Sequence, residues 1–274
     1  MYQKPTVPRS IGGVLDDTFQ LYKASFSRCW PPVLLMSLAG MGLGIYKVQE
    51  MPAVAAGGGI QQLLAQYTAS TPAYQATSLL VSLIQLLVYG MLVLIITKVS
   101  RGEDPTFGES FATALRRLPA MIGAGFLYGL AAGVGFILLI IPGIYVLNRL
   151  QLFMVPLVAE PQGPINSLAT SWRLIGGNWW RTASLMFVMI VMVYVLSLAL
   201  LALAGAVAVV ITGAPTSIVQ GISKFALVGI VINGVVGIFT APLLSCVSVA
   251  LYQDLLLRKG GGDLEARLGA LPKA

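Results

Sequence analysis

Arg149 is the residue whose chemistry stands out most sharply. It follows Ile144-Tyr145-Val146-Leu147-Asn148, in a run otherwise apolar enough for a bilayer. An arginine inside a span costs on the order of 3 kcal/mol on insertion scales, so it needs a cavity, a partner or a polar neighbour. A guanidinium binds phosphate bidentately, which makes a lipid headgroup the attractive functional partner. A clamp onto backbone carbonyls is the competing structural role. Placed after the Pro142-Gly143 turn, Arg149 should lie about 9 Å into the layer at 1.5 Å per residue. Asn148 beside it, and Asn233 and Thr240 in the last apolar run, are the other polar side chains that bear on a ligand. Glu160 lies about three helical turns beyond Arg149, on the same face but too far for a direct pair.

Other chemistry is absent from the sequence. It contains no histidine, which removes His-based triads, His metal sites and the usual near-neutral base. There is no phosphate-cradling glycine loop with its lysine, no paired cysteine ligands and no cluster of intramembrane carboxylates. Cys29 and Cys246 are expected as free thiols. The expectation is a chain with no catalytic residues, no metal and no cofactor, and so not an enzyme.

The elements that must position Arg149 follow from composition. Of the residues, 57% are hydrophobic and 10% charged, against about 25% charged in a soluble domain. So few charges cannot cover a soluble surface; they fit a chain solvated by lipid. The N-terminus lacks the short apolar core and cleavage site of a removable signal peptide. A bilayer span needs roughly 20 apolar residues as helix; six apolar runs are read as spans, at about residues 32–46, 77–96, 118–140, 144–158, 182–211 and 225–251, the fourth of them short. Ile141-Pro142-Gly143 divides the third from the fourth. The expected fold is an all-α transmembrane bundle of six helices, a single domain over 1–259 with a tail over 260–274.

Basic residues set the expected orientation. One side collects Lys4, Arg9, Lys23, Arg28, Lys98, Arg101, Arg116, Arg117, Arg173, Arg181, Arg258, Lys259, Arg267 and Lys273. The other holds only Lys47 and Lys224, with Arg149 inside a span. Both termini are therefore expected in the cytoplasm and the chain in a bacterial-type inner membrane. The basic residues flank apolar runs, which points to anionic lipid headgroups rather than nucleic acid.

Three stretches have helical spacing with a polar face. Leu15, Phe19, Tyr22 and Phe26 share a face, as do Phe107, Phe111, Leu115 and Leu118, and Ile165, Leu168, Trp172 and Ile175. Each precedes a helical hairpin, and the second and third read almost alike around Arg116 and Arg173. The expectation is a three-fold repeat of interfacial helix plus hairpin. Thr106 with Glu109 has capping-box spacing, Pro164 suits a first turn, and Gly176-Gly177 suits a helix end. Trp172, Trp179 and Trp180, with Arg173 and Arg181, form an aromatic-basic belt at the cytoplasmic interface. Gly125, Gly129 and Gly133, and Gly229 and Gly237, recur at spacings that let helix backbones approach. The partner they pack against, in this chain or another, is left open. Residues 61–67 are expected as a short helix in an outer loop.

A resemblance rests on a set of these residues. Ile141-Pro142-Gly143-Ile144, Arg149, Pro156, Glu160, Ser171-Trp172-Arg173-Leu174, Gly177 and Trp180 carry most of it. Ile11-Gly12 through Leu21-Tyr22, and Leu251-Tyr252 to Asp254-Leu255 with Arg258, fit the same pattern. Together they resemble the YciC-like family of poorly characterised bacterial inner-membrane proteins. That family is related to the membrane domain fused to some glycerophosphodiester phosphodiesterases. The resemblance implies a six-helix inner-membrane protein with no established activity. The phosphodiesterase chemistry needs histidines and a metal site in a separate domain, so it is not carried over.

The functional expectation is a non-catalytic envelope protein that binds or helps move lipid or a small amphiphile. A scaffold or accessory subunit, joined to a protein partner or a second copy through the glycine faces, is the alternative. A channel or transporter for a small polar solute is the second.

Overall fold

A computed structural model of the chain describes residues 5–50, 71–160, 162–212 and 218–269. The expected helix at residues 61–67 falls outside the described residues. Among the described residues, eight α-helices run in order: α1 Ile11–Glu50, α2 Pro72–Ser100, α3 Phe107–Leu138, α4 Ile140–Leu150, α5 Met154–Ala159, α6 Pro164–Ile175, α7 Trp179–Thr212 and α8 Ile218–Gly269. The described residues contain no strand. Six helical stretches are long and apolar enough to cross a membrane, with Ile140–Ala159 counted as one. The chain is thus an all-α membrane protein. Helices satisfy their backbone groups internally, which lipid requires.

The expected spans fall inside longer helices. Residues 32–46 lie within α1, and 118–140 lie mostly within α3, so the first two amphipathic stretches are continuous with the helices that follow. Neither stretch ends in a glycine turn, and Pro31, Pro32 and Pro119 sit inside intact helices. The third stretch alone is a separate interfacial-type helix, α6. Gly177 adopts φ +83°, a left-handed conformation that ends a helix readily only without a side chain. The N-terminal signals hold locally: the Thr106 side chain caps α3 by accepting from the Glu109 amide, and Pro164 opens α6. α8 continues as helix past residue 251 and through residues 260–269.

The chain divides into two compact units. Unit 1 comprises Met1–Trp30, Leu86–Met189 and Ala241–Ala274. Its core contains the largest fully buried side chains, among them Leu21, Met91, Ile95, Met121, Leu157, Leu185 and Leu251. The two thiols, Cys29 and Cys246, are free and buried there, with Ser25 Oγ 3.7 Å from Cys246 Sγ. Unit 2 comprises Pro31–Gln85 and Ile190–Thr240. Within it Tyr46 stacks on Tyr74, and Lys47 lies 4.6 Å over the Tyr74 ring. Its α7 segment exposes Ile190, Tyr194, Val195, Leu203 and Val210, as a lipid-facing helix should.

Among the described residues, most of the glycines at helix-packing spacings have open space beside them. A Cβ added at Gly125, Gly129, Gly133 or Gly229 meets nothing within 4 Å, and at Gly237 it makes only ordinary contact with Ser37. The close approaches lie elsewhere. A Cβ on Gly135 would stand 2.9 Å from the Gly143 Cα, where α3 meets α4. Gly129→Ala should therefore leave the melting temperature in detergent unchanged or slightly raised, since alanine is the better helix former by about 1 kcal/mol. Gly177→Ala should cost about 1–2 kcal/mol, because alanine must enter the left-handed region. Equal effects of the two substitutions in a thermal-unfolding assay would contradict this reading.

Candidate functional site

Arg149 sits at the end of α4, in unit 1. Its guanidinium carbon lies 4.3 Å over the Trp172 ring and 5.4 Å over the Tyr145 ring. Its Nη1 donates to the Tyr145 hydroxyl at 3.1 Å. Tyr145 and Trp172 meet edge to face, and Tyr145 stacks on Trp179 at 5.8 Å. Trp179 in turn meets Trp180 edge to face at 4.7 Å. The cation is thus seated against π faces, which attract it electrostatically. Its Nε is buried without a hydrogen-bond partner. Among the described residues no carboxylate pairs with it. The expected alternative, a clamp onto backbone carbonyls, is not what forms.

The backbone around this seat explains the geometry. The chain between α4 and α5 breaks over Gln151–Phe153, which frees helix-end groups that need partners. Ser171 of α6 supplies them: its hydroxyl donates to the Arg149 carbonyl at 3.0 Å and accepts from the Leu152 amide at 3.2 Å. Asn148 is buried and donates to the Trp179 carbonyl at 3.1 Å, while its own oxygen accepts from Gln151. The Trp179 indole N–H donates to the Tyr145 carbonyl at 3.4 Å. Gly176 closes the seat. A Cβ there would come within 3.4 Å of Arg149 Nη2 and 3.2 Å of the Arg173 carbonyl. Arg149 therefore lies level with the start of α7, beside Trp172 and Trp179.

The other expected site residues are placed elsewhere. Glu160 makes no contact with Arg149 and is engaged by other groups. Its two oxygens accept from the Tyr252 hydroxyl at 2.8 Å and from Gln162 at 3.0 Å. Arg173 is exposed, and its carbonyl accepts from Lys259. Asn233 belongs to unit 2 and donates back to the Gly229 carbonyl of its own helix at 2.8 Å. Asn148 and Arg149 are thus brought together with Trp172 and Trp179, while Glu160 and Asn233 are not.

A second constellation centres on Asp254, 2% exposed. Its Oδ1 accepts from the Arg9 amide at 2.8 Å. Its Oδ2 accepts from Arg181 at 3.0 Å and from Arg258 at 2.9 Å. Arg181 and Arg258 also donate to the Arg9 carbonyl. The backbone of one residue, Arg9, is held at both its N–H and its carbonyl, and one carboxylate joins the first turn of α7 to α8. The clue in the sequence was the Asp254–Arg258 pair, spaced for a contact on one helix face. Arg9 and Arg181 come from distant parts of the chain. For the aromatic seat the local clue was Tyr145, one turn before Arg149.

This is an all-helical, multi-pass membrane protein with a cation held in an aromatic corner. The chain belongs to the family described as a domain of unknown function, DUF7847, which matches residues 51–255. No curated protein and no solved structure matches the chain.

Asp254→Ala should destabilise the protein by about 3 kcal/mol or more, since it strands two arginines in a buried cluster. Asp104→Ala, which removes the exposed partner of Arg28, should cost under about 1 kcal/mol. Thermal unfolding in one detergent ranks the two; comparable losses would contradict the placement of Asp254 as the central charge.

Proposed function

We propose that this chain is a non-catalytic protein of a bacterial inner membrane, with both termini cytoplasmic, that binds a glycerophospholipid and holds its phosphate at Arg149. The observation that carries the reading is the seat of Arg149. A permanently charged group stands among aromatic rings with no described carboxylate to neutralise it. A phosphodiester supplies one negative charge and oxygens for the guanidinium fork. Trp172, Trp179 and Trp180 are residues suited to headgroup depth. Exposed basic residues such as Lys23, Arg116 and Arg173 suit an anionic lipid surface. The resemblance to the YciC-like family, carried by Ile141-Pro142-Gly143-Ile144 through Trp180, supports a role in glycerophospholipid handling.

A scaffold role is the second reading. The observation in its favour is the open glycine stripe of Gly125, Gly129 and Gly133 on α3, which leaves room for a helix of another chain. A solute channel has less support, because Asn148 and Asn233 each spend their amides on backbone carbonyls.

Native mass spectrometry of the protein extracted with its own lipids tests the proposal. The wild type is expected to retain a defined phospholipid that Arg149→Met, which keeps bulk and removes charge, loses by about tenfold or more. Equal lipid retention by both proteins would make Arg149 structural and overturn the reading.

A further inference from the structure

We infer that the α3–α4 hairpin does not cross the membrane: it enters one leaflet, turns in the hydrocarbon and returns to the side on which it began. Its apolar tip is an interaction surface whose occupant is the acyl-chain interior of the bilayer.

The inference starts from where the base of the hairpin sits. Asn148 and Tyr145 are hydrogen-bonded to Trp179, the first residue of α7. Two residues on, Arg181 is paired with the buried Asp254 and through it with Arg258. Such a charged cluster belongs at the edge of the hydrocarbon rather than in its middle. On the facing arm, the Tyr128 hydroxyl reaches the Leu147 carbonyl at 3.5 Å, so Tyr128 marks nearly the same level.

Length then decides the depth. From Asn148 up to Ile140 is eight residues, about 12 Å at 1.5 Å per residue. From Tyr128 up to Leu138 is ten residues, about 15 Å on the same scale. The hydrocarbon core is about 30 Å thick. With the Tyr128 level set by that contact, both arms end near its midplane. The 11 residues of α4 end at the turn Gln151–Phe153, a length found in re-entrant segments as well as in core helices.

The tip is built for that position. Ile137, Leu138, Leu139, Ile140 and Ile141 are 86%, 68%, 68%, 69% and 81% exposed. A turn that reached the far headgroups would normally offer polar groups to water. Five consecutive aliphatic side chains suit hydrocarbon instead. Two backbone hydrogen bonds close the turn. The Leu139 amide donates to the Gly135 carbonyl at 3.1 Å, and the Gly143 amide donates to the Leu139 carbonyl at 3.2 Å. Pro142 has no N–H to satisfy, which matters because unpaired groups in lipid cost several kcal/mol. The inference leaves α1, α2, α7 and α8 as the crossing helices. It stands independently of any lipid at Arg149.

Cysteine accessibility in the full-length protein, reconstituted in sealed vesicles, tests it. Ile141→Cys, Lys47→Cys and Arg101→Cys are each treated with a membrane-impermeant maleimide applied to one face and then the other. The unmodified chain, with its two buried thiols, sets the background. Lys47→Cys and Arg101→Cys are expected to label from opposite faces, and Ile141→Cys from neither until the protein is denatured. Labelling of Ile141→Cys from the Lys47 face would overturn the inference in favour of a full crossing. Cross-linking of Ile141→Cys between two chains would overturn it in favour of a second copy at the tip. Should Ile141→Cys not fold, Ile141→Lys gives a separate readout. In hydrocarbon the lysine is expected to cut the yield of folded protein by at least about tenfold; an unchanged yield would place the tip among headgroups and overturn the inference.

Discussion

A carboxylate removed from water must be answered by charge or by hydrogen bonds, and the way Asp254 is answered organises unit 1. It takes the Arg9 amide, Arg181 and Arg258 at once. Either arginine alone would leave acceptor capacity in a site where solvation is lost. Because Arg181 belongs to the first turn of α7 and Asp254 to α8, the cluster sets the register between those helices. Trp179 and Trp180 precede Arg181 directly, so the same register fixes where the aromatic belt stands. Through Asn148 and the Trp179 carbonyl, that position passes to α4 and hence to Arg149.

Two arginines are thus treated in opposite ways by one fold. Arg181 meets a buried carboxylate and is neutralised within the chain. Arg149 meets Trp172 and Tyr145, which attract a cation but carry no net charge. Among the described residues no carboxylate balances its charge, which is the physical basis for proposing a phosphate there. The placement also needs room. Gly176 keeps a side chain out of the guanidinium's way, and Gly177 provides the left-handed turn that frees α6 from α7. Ser171 holds the broken end of α4 in place from the neighbouring helix. The seat is therefore defined by a helix break and a glycine turn as much as by the residues that face the cation.

What could be read in advance divides along a physical line. Signals acting within one turn of chain were legible: the Thr106 cap, Pro164 at a helix start, and Gly176-Gly177 at a helix end. The apolar runs were legible because the bilayer imposes length and composition directly. Arg149 stood out as a misfit in such a run, but its surroundings did not, since Trp172 and Trp179 come from other helices. Asp254 was legible as a helix neighbour of Arg258 yet hidden as a hub, because Arg9 lies far away in the chain. The glycine stripe of α3 shows the limit of periodicity. Spacing says which residues share a face, and only packing says whether anything lies against it. Glu160's partners were hidden for a related reason: Tyr252 comes from α8, far along the chain.

The central claim is that the Arg149 charge is balanced by a phosphate, and a distance measures it most directly. Solid-state NMR of the full-length protein in phospholipid bilayers, with arginine nitrogens labelled, reports nitrogen–phosphorus dipolar couplings. Comparison with Arg149→Met isolates the signal of this one guanidinium. The account predicts a coupling that corresponds to about 4 Å, the separation of a guanidinium hydrogen-bonded to a phosphate. No resolvable coupling from Arg149, in a sample where other arginines show one to the same lipids, would contradict it.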